Sequence, residues 1–312
     1  MDGCHNRNTE ALFIRSDCNF SEFEKHATPR GASGNGGLGV YQTLVDAFAM
    51  KDGSLPITGY DGNYGKPIIN KESGYTERGF SAQKDIRKTK YNLYRNCPGA
   101  TVDSVGADGC TYNQVAASGT YNMYVGREPR FYASIIYNGA TWKEKTIYTY
   151  VDAENGFAAY RDNMNPGEKQ TVTGYFIRKY LQENNTEFDD KGSDQFWIEM
   201  RYAEVLLNLA EALAEQDYAK NQDDALEALN EVRRRVDLPE RTTQEAPDKD
   251  SFMKLLRKER ICELAFEGFR YWDLRRWRLA GEVIDGKQAH GTKITKKMII
   301  LILMNKCHVT TI

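Results

Sequence analysis

The sequence predicts a mainly α-helical fold joined to an irregular, loop-rich region that carries short strands. Three observations predict it: a change of composition near residue 190, a helical apolar stripe over residues 201–236, and an aromatic, charge-laced segment at 259–277. Of the 26 Gly, 21 precede residue 181, as do 16 of the 19 Tyr. Loops use Gly where φ must be positive, and Tyr offers a flat apolar face with a polar tip. The chain therefore divides into a loop-rich part at 1–190, a helical part at 191–280 and an atypical tail at 281–312.

In the first part, Ala11–Arg15, Arg130–Tyr137, Lys145–Val151 and Thr173–Tyr180 are rich in β-branched and aromatic residues, which predicts short strands. Leu44, Val45, Phe48 and Ala49 keep helical spacing, so an amphipathic helix is expected there, ended by Gly53. In the second part, Ala203, Leu206, Leu207, Ala210, Leu213 and Ala214 follow i, i+3, i+4, i+7 along one face. A polar loop, Asp217–Asp224, leads to a second helix with Ala225, Leu229, Val232 and Val236 in register. Asn221 is the expected N-cap, and Pro239 the expected stop. Two short helices in this arrangement resemble a tetratricopeptide-type hairpin.

Residues 259–277 read ERICELAFEGFRYWDLRRW. Arg260 and Glu263, Glu267 and Arg270, and Asp273 and Arg276 stand three apart, the spacing of surface neighbours on a helix. Phe266, Phe269, Trp272 and Trp277 lie among them, so a half-buried helix is expected, its charges tied to neighbouring structure. Gly268 inside that helix costs roughly 1 kcal/mol against Ala, which predicts a close backbone approach there.

Composition sets bounds on function. The 312 residues are 40% hydrophobic and 28% charged with net charge −2, the balance of an ordered globular protein. That charge gives no bulk attraction for nucleic acid or an anionic membrane. The basic residues around 257–278 are interleaved with Glu259, Glu263, Glu267 and Asp273, which points to ion pairing and not to nucleic acid. Cys97 and Cys110 flank a loop and are a possible disulfide, whereas Cys262 reads as a small core residue. No metal-ligand spacing, cofactor motif or catalytic set stands out. GNGGLG at 34–39 lacks the preceding apolar strand that a dinucleotide site requires.

The signature at 259–277 resembles the C-terminal signature of SusD/RagB proteins, nutrient-binding outer-membrane lipoproteins. VDAFAMKDG at 45–53, REPRFYASIIYNG at 127–139 and RYAEVLLNLAEA at 201–212 resemble further motifs of that family, in the same order. The resemblance implies a helical scaffold carrying a loop-rich binding face. It also implies a non-enzymatic role at the outer-membrane surface: capture of an oligosaccharide or other small nutrient and its transfer to a TonB-dependent, SusC-like transporter. It covers the C-terminal half of such a protein, without the lipoprotein signal peptide and N-terminal helical region. The tail through Met298–Met304 departs from the family, and a truncated or frame-shifted product is the expectation drawn from it.

Sugar rings present apolar C–H faces, which proteins grip with exposed aromatic rings and a few hydrogen-bonding groups. Tyr60 and Tyr64 in ITGYDGNYG, Tyr112 in the Asn96–Thr120 stretch and Trp142 after the Asn138-Gly139 turn are the candidate ligand contacts. Two other readings compete with capture. One is a tetratricopeptide-like protein-interaction scaffold, and the other a glycoside hydrolase, favoured only by abundant acidic and aromatic residues.

Overall fold

The computed structural model describes residues 10–15, 20–29, 32–62, 66–89, 102–105, 111–142, 145–151, 171–182, 196–285, 287, 289–297 and 306–311. The possible pair Cys97 and Cys110, the candidate Tyr64 and the apolar stretch Met298–Met304 lie outside the described residues. The fold is mainly helical with short strands, and it divides into two compact units. One comprises residues 19–193 and 281–312, the other residues 1–18 and 194–280. Among the described residues no helix is long and apolar enough to cross a membrane.

The first unit is built from small sheets around an aromatic core. Its helices include α1 (Ser21–Ala27), α2 (Gln42–Ala47) and α3 (Pro129–Ser134). α2 falls where the Leu44 and Val45 spacing predicts it, but it stops at Ala47, and Gly53 sits at φ 79° in the turn beyond. The expected strand over Arg130–Tyr137 is instead α3 followed by a two-residue strand, Ile135–Ile136. Pro129 occupies the first helical turn, where its missing N–H costs nothing, and this overrides the β propensity of the run. Lys145–Val151 forms two short strands, Lys145–Thr146 and Tyr150–Val151, and Thr173–Tyr180 forms only Phe176–Ile177. Thr111–Ala116 is the central strand of a three-stranded sheet, so the backbone of Tyr112 lies in a strand and not in the expected loop.

Two motifs clamp this unit. Arg127, fully buried, donates to Met123 O at 3.1 Å, to Phe48 O at 2.7 Å and to Val45 O. Its guanidinium carbon lies 4.9 Å from the centre of the Phe131 ring. Glu128 accepts from Ala49 N at 2.9 Å and pairs with Arg130 at 2.6 Å. The carbonyls that α2 leaves unpaired at its C-terminal end are thus satisfied by a side chain 79 and 82 residues away.

In the other unit, Ala11–Arg15 pairs antiparallel with Trp197–Arg201. The main helix α4 (Tyr202–Arg235) is two helical arms joined across non-helical residues Asp217 and Asn221. Its inward face, Ala203, Leu206, Leu207, Ala210, Ala214, Ala225, Leu229 and Val232, is buried as the periodicity predicts. Asn221 does not serve as an N-cap. Its side-chain amide donates back to Leu213 O at 3.2 Å and so ends the first arm. α5 (Lys249–Glu263) packs Phe252, Met253 and Leu256 into the same core, and the Asp248 side chain caps it by accepting from Ser251 N at 2.8 Å. Each such buried side chain contributes about 1.5–3 kcal/mol.

The segment 259–277 is not one helix. α5 ends at Glu263, and α6 (Phe269–Arg276) begins only after a turn in which Phe266 and Gly268 take φ of 65° and 84°. No atom lies within 4 Å of a Cβ built on Gly268, so the residue meets a left-handed backbone and not the close approach expected.

Candidate functional site

The hairpin that follows α3 turns at Asn138-Gly139, where Gly139 takes φ 93°. Thr149 N donates to the Asn138 side chain at 2.8 Å, Gly139 N to Ile147 O at 2.8 Å, and Ile147 N to Ala140 O at 2.9 Å, which fixes both strands of the loop. Opposite stands the turn 117–121, pinned by Ser81 N to Thr120 O and Gly119 N to Ser81 O, each 2.8 Å. Between these two walls lies an open groove of about 470 Å³. Its aromatic surface comes from Phe80, Tyr121, Tyr148 and Tyr150. Its hydrogen-bonding surface comes from Ser118, Thr120, Asn138, Thr141 and Thr146.

Strand parity decides which rings face the groove. Thr141 lines it and is exposed, whereas Trp142, next in the strand, is 1% exposed and buried. Trp142 packs beneath the hairpin with the Arg178 guanidinium 5.6 Å from its ring centre, and its burial is at odds with service as a surface sugar platform. Tyr148 and Tyr150 stand two apart, with ring centres 5.5 Å apart and planes inclined by 50°. Tyr148 is 40% exposed and Tyr150 7%, so the first is an open face and the second its buttress. The signal that finds them in the sequence is the Tyr-x-Tyr alternation in KTIYTY.

Tyr60 lies elsewhere in the unit. It is half-buried, donates to Asp46 Oδ2 at 2.8 Å and meets the His290 ring edge-on at 5.5 Å. Burial pushes the Tyr60 hydroxyl well above its ordinary value, and the Asp46 carboxylate pushes the same way. Asp46 is itself raised by burial, against hydrogen bonds from Gln42 and Tyr60. Tyr60 and Trp142 are not among the residues lining the groove. The Tyr112 side chain and all of Tyr64 lie outside the described residues. Among the described residues, no three His, Cys, Asp or Glu are grouped so as to hold a metal ion.

Most charges of the 259–277 signature are consumed in structure. Arg201 grips Glu267 at 2.7 and 2.8 Å, Glu263 at 2.7 Å and Glu10 at 2.9 Å. Arg260 binds both Asp273 oxygens at 2.9 and 3.0 Å and Asn208 at 2.8 Å, and Arg233 binds Glu259 at 2.6 Å. Of the three pairs read from i,i+3 spacing, Asp273 with Arg276 forms at 2.8 Å. Arg260 and Glu263, although both lie in α5, instead reach distant partners, and Glu267 does so too, being separated from Arg270 by the turn before α6. Glu211 joins Arg276 at 2.7 Å and the Trp277 indole N–H at 2.8 Å. Trp272, in contrast, is 65% exposed.

A helical unit with a charge-locked signature and a separate loop-rich unit together point to a particular class of protein. A model of the SusD family matches residues 4–298, and the chain belongs to that family. It is 32% identical over 149 residues to a SusD-like protein of Formosa agariphila, covering 46% of this chain and 27% of that one. A solved SusD-like protein from Bacteroides fragilis superposes with a TM-score of 0.60 at 25% identity, covering 98% of this chain and 49% of the other. A second from that species, described as a SusD-like carbohydrate-binding protein, has a TM-score of 0.56 at 24% identity, covering 86% and 41%, and shares the fold. The chain thus spans about half the length of these solved relatives and about a quarter of the curated one.

Proposed function

We propose that this chain captures an oligosaccharide at the outer-membrane surface, without chemical change, and presents it to a TonB-dependent, SusC-like transporter for uptake. The groove between turn 117–121 and hairpin 138–150 carries this reading. An open Tyr148 ring suits the C–H face of a sugar, and the Ser, Thr and Asn side chains around it suit sugar hydroxyls. Among the described lining residues none is a carboxylate, whereas glycoside hydrolysis calls for two Asp or Glu flanking the scissile bond. Membership of the SusD family supports the surface location and the transporter partner.

The test is calorimetric titration of the intact chain with a panel of plant, algal and host oligosaccharides, with reducing ends assayed in parallel. Saturable heat with no new reducing ends is expected. A silent panel removes the capture reading, and released reducing ends remove its non-enzymatic part. One observation favours the scaffold reading as a second: Tyr202, Val205 and Leu209, on the outer face of α4, are 41%, 38% and 48% exposed. An apolar ridge on a helical hairpin suits a protein partner.

A further inference from the structure

We infer that Thr292 is a positioning residue for the groove: it seats the strand Thr292–Lys297, and that strand holds Tyr150 behind the Tyr148 ring. The inference rests on the capture reading above and deepens it with a residue that is not one of those lining the groove.

Thr292 is fully buried, in a slot shaped for it. Its amide donates to Thr173 O at 2.8 Å. Its hydroxyl donates to Gln42 Oε1 at 2.5 Å and lies 3.0 Å from the Tyr175 hydroxyl, which donates to the same Gln42 oxygen at 2.8 Å. The Gln42 amide nitrogen donates to Asp46 Oδ1 at 2.7 Å. A carboxylate only accepts, so it takes the NH2 end of Gln42 and turns the amide oxygen towards Thr292. One residue pair earlier, Gln42 N donates to His290 O at 2.9 Å. Two glycines let the backbones meet. A Cβ on Gly174 would lie 2.2 Å from Thr292 O, and one on Gly291 would lie 2.5 Å from Thr173 O. Any side chain at either position would meet backbone.

The slot connects to the groove through one strand. Ile294, also fully buried, pairs in parallel with Tyr150, and Thr295 pairs with Val151. Tyr150 lines the groove, and its ring centre stands 5.5 Å from that of Tyr148. A pairing two residues long specifies its register weakly, and a slip by one residue turns every side chain to the other face. The register is therefore set by what anchors the strand beyond the pairing. Thr292 is that anchor, held at both its amide and its hydroxyl two residues before Ile294. Anchored there, the strand keeps Tyr150 on the groove side, where it braces the exposed Tyr148 ring.

The experiment compares the intact chain with Thr292→Val, which keeps the shape and removes the hydroxyl, and with Thr292→Ser, which keeps the hydroxyl. The probe is the member of the calorimetric panel that binds the parent chain most tightly, and peptide-level amide exchange without sugar is measured alongside. Thr292→Val should weaken binding about tenfold and speed exchange in 147–151, with 249–276 unchanged, whereas Thr292→Ser should restore both. Should Thr292→Val fail to fold, Ile294→Val serves instead, with the same two changes expected at smaller size. Parental affinity in a Thr292→Val chain that melts lower would make the contact merely structural and overturn the inference. Weaker binding with unaltered exchange in 147–151 would overturn it as well. If the parent binds no member, or binding survives Tyr148→Ala, the capture reading falls instead, and the exchange in 147–151 alone still decides whether Thr292 positions that strand.

Discussion

Arg201 holds both carboxylate oxygens of Glu267, at 2.7 and 2.8 Å, across 66 residues of sequence. The contact joins the entry of α4 to the turn between α5 and α6. Both side chains are almost wholly buried, at 7% and 2% exposure. Glu263 and Glu10 complete the ring of acceptors, and burial notwithstanding, these carboxylates hold Arg201 more firmly protonated than a free Arg.

Removing one member of a buried ion pair strands the other without water. Arg201→Met is expected to cost about 3–5 kcal/mol, because Glu263 and Glu267 stay buried. Urea unfolding followed by helix circular dichroism measures it. A loss near zero means that the network carries no structural weight.

The two Trp of the signature are not equivalent. Trp277 donates to Glu211 at 2.8 Å and lies under the Arg276 guanidinium at 4.6 Å, whereas Trp272 is exposed. Trp277→Leu should cost about 2–4 kcal/mol in thermal unfolding, from the lost charge-assisted hydrogen bond and cation–π contact. Trp272→Ala should stay within about 0.5 kcal/mol of the parent.

Acid should weaken the helical unit through Glu211. Burial alone pushes this carboxyl up, but the Arg276 guanidinium and the Trp277 N–H outweigh burial and hold it below its ordinary value. A carboxylate depressed in the folded state contributes stability above its unfolded value, about 4.3, and that stability is lost as pH falls through the lower folded value. Melting temperatures taken from pH 7 to pH 3 should therefore drop less steeply for Glu211→Gln than for the parent. Parallel curves contradict the assignment.

Arg127 is the corresponding anchor of the loop-rich unit. Arg127→Met leaves the carbonyls of Met123, Val45 and Phe48 buried without their donor, at about 1–3 kcal/mol each. Lys cannot restore a three-way planar fork, so Arg127→Lys should rescue little. Chemical denaturation of both variants decides it.

The legibility of the chain follows the range of its interactions. The apolar face of α4 was readable because Ala203, Leu206, Leu207 and Ala210 carry the period themselves. The break after Glu263 was not, since Phe266 takes a positive φ that nothing local demands. Spacing rules find neighbours along one helix, so Asp273 with Arg276 was legible, while Arg201 with Glu267 required the tertiary fold. The groove was missed for a different reason. The place of Trp142 after the Asn138-Gly139 turn makes it a candidate, whereas strand parity turns Trp142 inward and sets Tyr148 and Tyr150 on the groove side. Pro129, which starts α3, stands just before the run Arg130–Tyr137 whose β-branched and aromatic residues predict a strand.

The most direct test of glycan capture is amide hydrogen exchange on the intact chain, with and without a saturating oligosaccharide chosen from the calorimetric panel. The account predicts slowed exchange in 117–121 and 138–150 together, with 249–276 unchanged. Protection confined to the helical unit, or none in the two groove walls, would contradict it.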